Sequence, residues 1–317
     1  MNRRSALGGL ALAGSTALAI RQARLYRMPD RRKNRSRVAV LRCGDYAACP
    51  SVIEDGLLLI QPDIRNKRVV LKPNLVEYSP TAAINTHPMV IAGAIQALYK
   101  LGAASVTVAE GPGHVRDTQM LIEECGLAEQ LKAVGRSRFV DLNFDDVGRV
   151  PLRTGLTSLG ELWLPKTILG ADVLISMPKI KTHHWAGVTL SLKNLFGVVP
   201  GGVYGWPKNI LHWQGIDHSI AELAAAVPIH YVIADGIIAM EGNGPLHGKT
   251  KNLGCLAFAD DPIAADFTCC DLMRRSPGSV PHLRLAQPMG NYDPLHVDQV
   301  GELVSQLAVQ FEQIVVR

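Results

Sequence analysis

The chain has 317 residues, of which 47% are hydrophobic and 19% charged, so it can bury a substantial core and is not a disordered chain. Aromatic residues make up only 5%, which argues against a base-stacking surface for single-stranded nucleic acid, and no apolar run reaches about 18 residues, so no stable membrane span is predicted. The net charge of +5 is concentrated in residues 1–37, which hold ten basic residues and one acidic residue and leave 23 basic and 27 acidic residues in the rest. Because the remaining chain is slightly acidic, no nucleic-acid partner is predicted.

The first 19 residues have the pattern of a twin-arginine export signal. Arg3 and Arg4 precede a short, weakly apolar stretch that ends in a small-x-small sequence, Ala17-Leu18-Ala19. We therefore expect the twin-arginine export machinery as a partner, cleavage near Ile20, and a periplasmic or extracytoplasmic location. The alternative is a basic tail without a targeting function.

From residue 38 onward, segments typical of strands alternate with segments typical of helices. The predicted strands are short apolar runs at Val38–Arg42, Val69–Leu71, Ser105–Ala109, Arg138–Leu142, Asp172–Ser176, Ile229–Ala234 and Leu253–Ala259. The predicted helices are Ser51–Ile60, with Ser51 as its N-cap, Pro88–Leu101, 117–133 in two pieces broken at Gly126, Ile216–Ala226, 262–275 and 297–313.

Continuous apolar strands between helices predict an α/β fold with a mainly parallel sheet and helices on both faces. We expect one large domain over residues 38–317, preceded by a flexible basic linker at 20–37. Residues 145–163 show no clear pattern, and the Gly- and Pro-rich stretch at 195–215 is predicted to be a lid-like insertion.

Polar residues follow four of the predicted strands. Lys72 and Asn74 follow the second strand, Glu110 the third, Lys179–His183 the fifth and Asp235 the sixth. Ligands of open α/β sheets bind beyond the carboxyl ends of the strands, so these residues are predicted to converge on one site. A single lysine at such a position is more often an ordinary surface residue, so the prediction depends on the whole set.

The segment ISMPKIKTHHWAGVTLSLKNLFG, residues 175–197, places basic and polar side chains among apolar ones. They are Lys179, Lys181, His183, His184, Lys193 and Asn194. Lysines near a strand end form a positive pocket suited to phosphate or carboxylate, so a small anionic ligand is predicted. A buried lysine with a lowered pKa can act as a base or Schiff-base nucleophile, and a histidine can move a proton or bind a metal. Solvated lysines beside core histidines are the alternative.

A second segment, ADGIIAMEGNGPLHG at 234–248, combines two carboxylates with glycines. Asp235 and Glu241 offer the oxygen ligands that a divalent metal prefers, although the glycines are equally explained as turn residues. Glu110-Gly111-Pro112-Gly113 is not a dinucleotide fingerprint, because Arg116 occupies the place of its third glycine. The six cysteines contain no C-x-x-C, so no iron–sulfur cluster held by a cysteine motif of this chain is expected.

Together these segments resemble the family known as domain of unknown function 362. The matching stretches are VVLKPNLV (69–76), THP (86–88), LGAASVTVAEGPG (101–113), ISMPKIKTHHWAGVTLSLKNLFGVVPG (175–201), IADGIIAMEGNGPLHG (233–248) and DDPIAAD (260–266). Some members of that family carry a ferredoxin-like segment and are described as iron–sulfur proteins, but this chain lacks the cysteines of that segment. The resemblance implies the fold and singles out ten residues without assigning them roles: Lys72, Asn74, His87, Lys179, Lys181, His183, Lys193, Asn194, Asp235 and Glu241.

The leading hypothesis is an exported enzyme that acts on a small anionic metabolite. Lys72, Lys179 and Lys193 would hold the anion, and Lys181 or His183 would transfer a proton. The further ligand-binding candidates are Asn74, His87 and Asn194. Asp235 and Glu241 would orient the proton-transfer group or ligate a divalent metal.

Two other functions stay open at this point. The same pocket suits a non-catalytic protein that binds a ligand or a metal. An accessory protein of an iron–sulfur redox system is suggested by the family resemblance alone.

Overall fold

The structure, a computed structural model, describes residues 28–113 and 117–312, so the predicted export signal lies outside the described residues. The described part of the predicted linker lies against the domain. Arg31 donates hydrogen bonds to the carbonyls of Ala224, at 3.0 Å, and Ala225, and Lys33 forms an ion pair with Asp260 at 3.1 Å. The basic side chains of this segment thus find carbonyl and carboxylate partners on the folded body.

Within the described residues, a mixed sheet of ten strands organises the fold, with a separate two-stranded hairpin beside it. The sheet contains β1 (Ser36–Arg42), β2 (Arg68–Pro73), β3 (Ser105–Glu110), β4 (Arg138–Asp141), β7 (Val173–Met177), β8 (Lys179–His183), β9 (Gly187–Thr189), β10 (Tyr231–Glu241), β11 (Lys249–Ala259) and β12 (Val297–Gly301). The hairpin consists of β5 (Val147–Pro151) and β6 (Glu161–Pro165), in the region where the sequence showed no clear pattern.

The main path of the sheet has the order β12-β1-β11-β10-β7-β2-β3-β4, and β8 pairs with β10 and β9. Pairing is parallel from β10 through β7, β2 and β3 to β4, whereas β11 is antiparallel to both β1 and β10. The predicted α/β fold with a mainly parallel sheet is confirmed.

Helices cover both faces of this sheet. They are α1 (Cys49–Ile60), α2 (Pro88–Lys100), α3 (Thr118–Glu124), α4 (Leu127–Val134), α5 (Lys166–Leu169), α6 (Gly201–Tyr204), α7 (Asn209–Trp213), α8 (Ile216–Ala226), α9 (Pro262–Leu272), α10 (Pro281–Ala286) and α11 (Val304–Leu307), with a 3₁₀ helix at Lys193–Val198. Successive residues of β2 point to opposite cores: Leu71 packs with Ile95 of α2, and Val70 belongs to the core that contains Ile220 of α8. Among the described helices, none has the length and apolar character needed to cross a membrane.

Three local predictions were wrong. The helix predicted at 297–313 is β12 followed by α11, because the edge of β1 offers backbone groups that β12 pairs with in parallel. Helix α1 begins at Cys49, so Ser51 is not its N-cap. The sixth predicted strand does not stop before Asp235 but continues to Glu241, since β11 pairs with it along that length.

Candidate functional site

A cavity of about 520 Å³ opens beyond the carboxyl ends of β2 and β3. Residues from β8, β9, the 3₁₀ helix, the 207–212 segment and the 243–247 segment complete its walls. Its polar and charged lining residues are Lys72, Asn74, Glu110, Lys181, His183, His184, Thr189, Lys193, Asn194, Lys208, Asn209, His212, Asn243 and His247. Six of the ten predicted site residues are therefore brought to one cavity: Lys72, Asn74, Lys181, His183, Lys193 and Asn194.

A buried ion pair forms one end of the cavity. The ammonium of Lys72 lies 2.5 Å from Glu110 Oε2 and also donates to the carbonyl of Pro73, at 3.0 Å, and to Asn194 Oδ1, at 3.2 Å. Both ionic side chains are almost fully buried, at 1% and 2% exposure. Burial lowers the pKa of Lys72, and the charge of Glu110 opposes that shift. Asn194 returns a hydrogen bond from Nδ2 to the Lys72 carbonyl, so the three side chains hold one another in place.

Strand β8 carries two of the cavity residues, Lys181 and His183. They are spaced two apart, so they project from the same face of the strand. Lys181 is fully buried, and its ammonium donates to the carbonyls of Ile84, at 2.7 Å, and Pro245, at 3.4 Å. Burial, together with the charges of Lys179 and Lys193, holds the pKa of Lys181 well below its usual range.

Two further lysines face the cavity from the 3₁₀ helix and the segment after it. The ammonium of Lys193 lies 3.7 Å from the centre of the Phe196 ring and has no hydrogen-bond or ion-pair partner among the described residues. Lys208 is 2% exposed and donates to the carbonyls of Gly111, at 2.7 Å, and Phe196, at 3.4 Å. Burial and neighbouring lysines lower the pKa of Lys193 to about 7, and burial lowers that of Lys208 to about 7.

The ring of His183 is fixed in one tautomer by the backbone. Its Nδ1 lies 3.1 Å from the backbone nitrogens of both Trp185 and Ala186, which donate to it. A proton on Nδ1 would point at two donors, so the neutral ring carries its proton on Nε2. Burial and the nearby charges lower the pKa of His183 far below its usual value. His183 therefore presents an N–H donor to the cavity.

Three polar atoms in the lining lack a partner. Asn74 Oδ1, Thr189 Oγ1 and His212 Nδ1 are buried and accept or donate no hydrogen bond among the described residues. Buried polar groups in folded proteins are nearly always paired, and all three of these residues line the cavity.

Four predicted site residues lie elsewhere. Lys179 pairs with Asp235 at 2.6 Å in a buried cluster, where its ammonium also donates to Tyr46 Oη at 3.0 Å. Asp235 further accepts from the backbone nitrogen of His87, and the His87 ring stacks on Tyr46 at 3.6 Å between ring centres. This cluster fastens α2 and the loop after β1 to β8 and β10 and does not line the cavity.

The two candidate metal ligands are separated along one strand. Asp235 and Glu241 lie six residues apart on β10, which is roughly 15–20 Å at the rise of a β-strand. Glu241 pairs with Lys251 at 3.2 Å and accepts from the backbone nitrogen of Glu312. Within residues 28–113 and 117–312, no group of three or more His, Cys, Asp and Glu side chains is arranged to hold a metal ion. Asp235 and Glu241 therefore do not meet at one ion.

Sequence patterns did not single out two titratable residues of the cavity. Lys208 and His212 belong to the irregular stretch that was predicted only as a lid, and no spacing marks them as buried. Lys208 adopts a left-handed backbone conformation, with φ of 67°, that no local pattern indicates. Glu110 was noticed at a strand end, but its pairing with Lys72 depends on β2 and β3 being neighbours.

Two solved structures show a distant similarity of backbone fold. The lactate racemase apoprotein of Thermoanaerobacterium thermosaccharolyticum is 16% identical, with a TM-score of 0.46, over 78% of this chain and 59% of that one. A protein of Thermotoga maritima is 12% identical, with a TM-score of 0.36, over 63% of this chain and 52% of that one. Likenesses of this size say nothing about what the cavity binds.

The family comparison covers the whole site. Residues 69–271 match the family described as domain of unknown function (DUF362), a range that contains all the lining residues of the cavity. The thylakoid-associated protein sll1697 of Synechocystis sp. is 30% identical over 230 residues, which are 70% of this chain and 68% of that protein. The resemblance found in the sequence is confirmed: the chain belongs to the DUF362 family.

Proposed function

We propose that this protein is an enzyme that binds a small anionic metabolite in the cavity and transfers a proton on it. The observation behind the proposal is the charge of the lining. Lys181, Lys193 and Lys208 all face the cavity, and none has a carboxylate partner among the described residues. Among the described residues, the one carboxylate in the lining, Glu110, is already paired with Lys72.

The lack of a counter-charge at these three lysines within the described residues favours an anion. Burying a charge without a counter-charge is costly, which is why these lysines have lowered pKa values. A phosphate or carboxylate would supply the missing counter-charge in a site shielded from water. Binding would therefore be accompanied by proton uptake on the lysines.

The lysine best suited to move a proton is Lys193. A group with a pKa of about 7 is both protonated and unprotonated at neutral pH, as an acid–base catalyst requires. Its ammonium is also free of hydrogen bonds within the described chain. Lys181, held by two carbonyls, suits the role of anchor for the anion.

His183 takes a different role in this proposal from the one expected from the sequence. Because Nδ1 accepts two backbone hydrogen bonds, the ring offers Nε2–H as a donor and has no free lone pair for use as a base. A neutral histidine that donates a hydrogen bond stabilises negative charge as it develops on a substrate oxygen.

A thermal-shift screen tests the binding part of this proposal. Phosphate, sugar phosphates and dicarboxylates are added to the wild-type chain and to Lys181→Met and Lys193→Met, which keep most of the apolar stem and remove the charge. Lys100→Met is the matched control, since Lys100 is an exposed lysine on α2. We expect stabilisation by at least one class of anion in the wild type and the control, and a clear loss of it in both cavity variants. Equal responses in all four proteins would contradict an anion site.

A second experiment distinguishes an enzyme from a binding protein. The anions that stabilise the wild type are incubated with it in D₂O and followed by proton NMR. Exchange or conversion of the anion by the wild type supports proton transfer, and its loss in Lys193→Met at anion concentrations that still saturate the variant assigns that transfer to Lys193. An unchanged spectrum with intact binding supports a non-catalytic ligand-binding protein.

A further inference from the structure

Five aromatic rings form a continuous wall of the cavity. Ring centres lie 5.0 Å apart for His183 and His184, 4.8 Å for His184 and Trp185, 5.5 Å for Trp185 and His212, and 5.8 Å for His212 and Phe196. All five residues line the cavity, and we call them the ring wall.

The geometry of the ring wall suits the addition of another ring. Three of its four contacts are edge-on, with angles between ring planes of 69°, 71° and 89°. Edge-to-face and offset contacts are the favourable arrangements of aromatic pairs. Trp185 keeps 57% of its surface exposed although its indole is large and apolar, so a ligand at this wall has an uncovered ring to pack against.

The ring wall adjoins the lysines directly. Lys193 places its ammonium 3.7 Å from the centre of the Phe196 ring, so the positive charge and the last ring of the wall are in contact. An anionic group bound by Lys193 would therefore lie next to the ring wall.

Resting on the proposed function, we infer that the anion bound here carries a planar aromatic or heteroaromatic ring. The anionic group contacts Lys181, Lys193 and Lys208, and the ring packs on Trp185 and its neighbours in the ring wall. The cavity volume of about 520 Å³ is within the range for ligands larger than a simple inorganic anion.

Three probes separate the contribution of the ring from that of the charge. Acetate carries the anionic group alone, cyclohexanecarboxylate adds an apolar ring that is not planar, and benzoate adds a planar aromatic one. Cyclohexanecarboxylate is the more apolar of the two cyclic acids, so a preference for benzoate measures the aromatic contact and not burial of apolar surface. Dissociation constants are measured by calorimetry on the full chain and on two variants, Trp185→Leu and Trp213→Leu. Trp213 is the matched control because it is 79% exposed and lies outside the cavity lining.

We expect benzoate to bind roughly 2- to 10-fold more tightly than cyclohexanecarboxylate in the wild type and in Trp213→Leu. This ratio corresponds to the binding free energy that one aromatic pair contributes. In Trp185→Leu that preference should shrink toward unity, while acetate binding stays unchanged. Acetate and benzoate bound equally well, or a benzoate preference that survives in Trp185→Leu, would overturn the inference and leave the proposed function standing. Absence of binding by all three acids and by phosphate would overturn both.

Discussion

Gly197 and Glu110 approach each other more closely than any side chain at position 197 would allow. A β-carbon built on Gly197 would lie 1.8 Å from Glu110 Oε1 and 2.6 Å from the ammonium of Lys72. The backbone of the 3₁₀ helix thus packs directly on the buried ion pair. This contact joins the end of β3 to the segment that carries Lys193.

Gly197→Ala is therefore expected to damage both the fold and the site. The added methyl group must displace the Glu110 carboxylate, and overpacking of this kind costs typically about 1–3 kcal/mol of unfolding free energy. Urea denaturation measures the loss, and anion-dependent stabilisation should weaken in parallel. Gly44→Ala is the control, since a β-carbon there meets no atom within 4 Å. If both variants unfold at the same urea concentration as the wild type, the close contact does not exist.

Glu110→Gln tests whether Lys72 depends on its buried partner. Removing one charge of a buried pair leaves the other uncompensated, at a cost of about 3–5 kcal/mol. The double variant Lys72→Met with Glu110→Leu removes both charges and should recover much of that stability. Wild type, Lys72→Met, Glu110→Leu and this double variant form a thermodynamic cycle, measured by chemical denaturation. Additive effects of the two single changes would contradict a direct ion pair.

The affinity of the cavity for anions should depend on pH through Lys193. Its pKa of about 7 in the free protein means that the ammonium is lost as pH rises through neutrality. An anion binds the protonated form, so affinity for phosphate analogues of fixed charge, such as sulfate, should fall between about pH 6 and pH 8. Lys193→Met should bind more weakly at pH 6 and show a shallower decline. Calorimetric titrations across this range give the profile, and a flat wild-type curve would be inconsistent with a titrating lysine at the site.

The predicted strand ends placed Lys72 and Glu110 at the cavity, as the structure has them, but also placed Asp235 there, where the structure does not have it. Lys72 and Glu110 were placed correctly because they follow short apolar runs whose parallel pairing fixes their position. Asp235 was misplaced because β10 continues past it, and the continuation depends on pairing with β11, which no local pattern shows. Lys208 enters the cavity through an irregular loop, and only the assembled fold determines where such a segment lies. Sequence reasoning thus named six residues that line the cavity but could not show that Lys72 pairs with Glu110 or that Lys179 pairs with Asp235 outside the cavity.

Export of the protein is a proposal that can be tested at the arginine pair near its N-terminus. We expect Arg3→Lys with Arg4→Lys to keep the protein in the cytoplasm, because the export receptor reads the guanidinium pair and lysine does not reproduce it. Cell fractionation followed by mass determination of the mature N-terminus measures the effect, with cleavage expected near Ile20. Arg21→Lys and Arg24→Lys together are the matched control, since they make the same change after the cleavage site. Undiminished periplasmic protein in the first double variant would refute the assignment.

The unfolding free energy of the free protein should also depend on pH because Lys208 is buried. Its pKa of about 7 in the folded state lies below the unfolded value of about 10.4, so between these limits the unfolded chain binds more protons than the folded one. For this group the unfolding free energy therefore rises as pH increases from about 7 toward 10.

Buried cysteines change the unfolding free energy in the opposite direction above about pH 8.5, since burial raises the pKa of Cys49 and of Cys255 to about 12. The comparison of wild type with Lys208→Met cancels the cysteine contribution. We expect the wild type to gain stability relative to Lys208→Met as pH rises from 7 to 9, measured by urea denaturation at each pH. A constant difference between the two proteins would mean that Lys208 titrates as an ordinary solvated lysine.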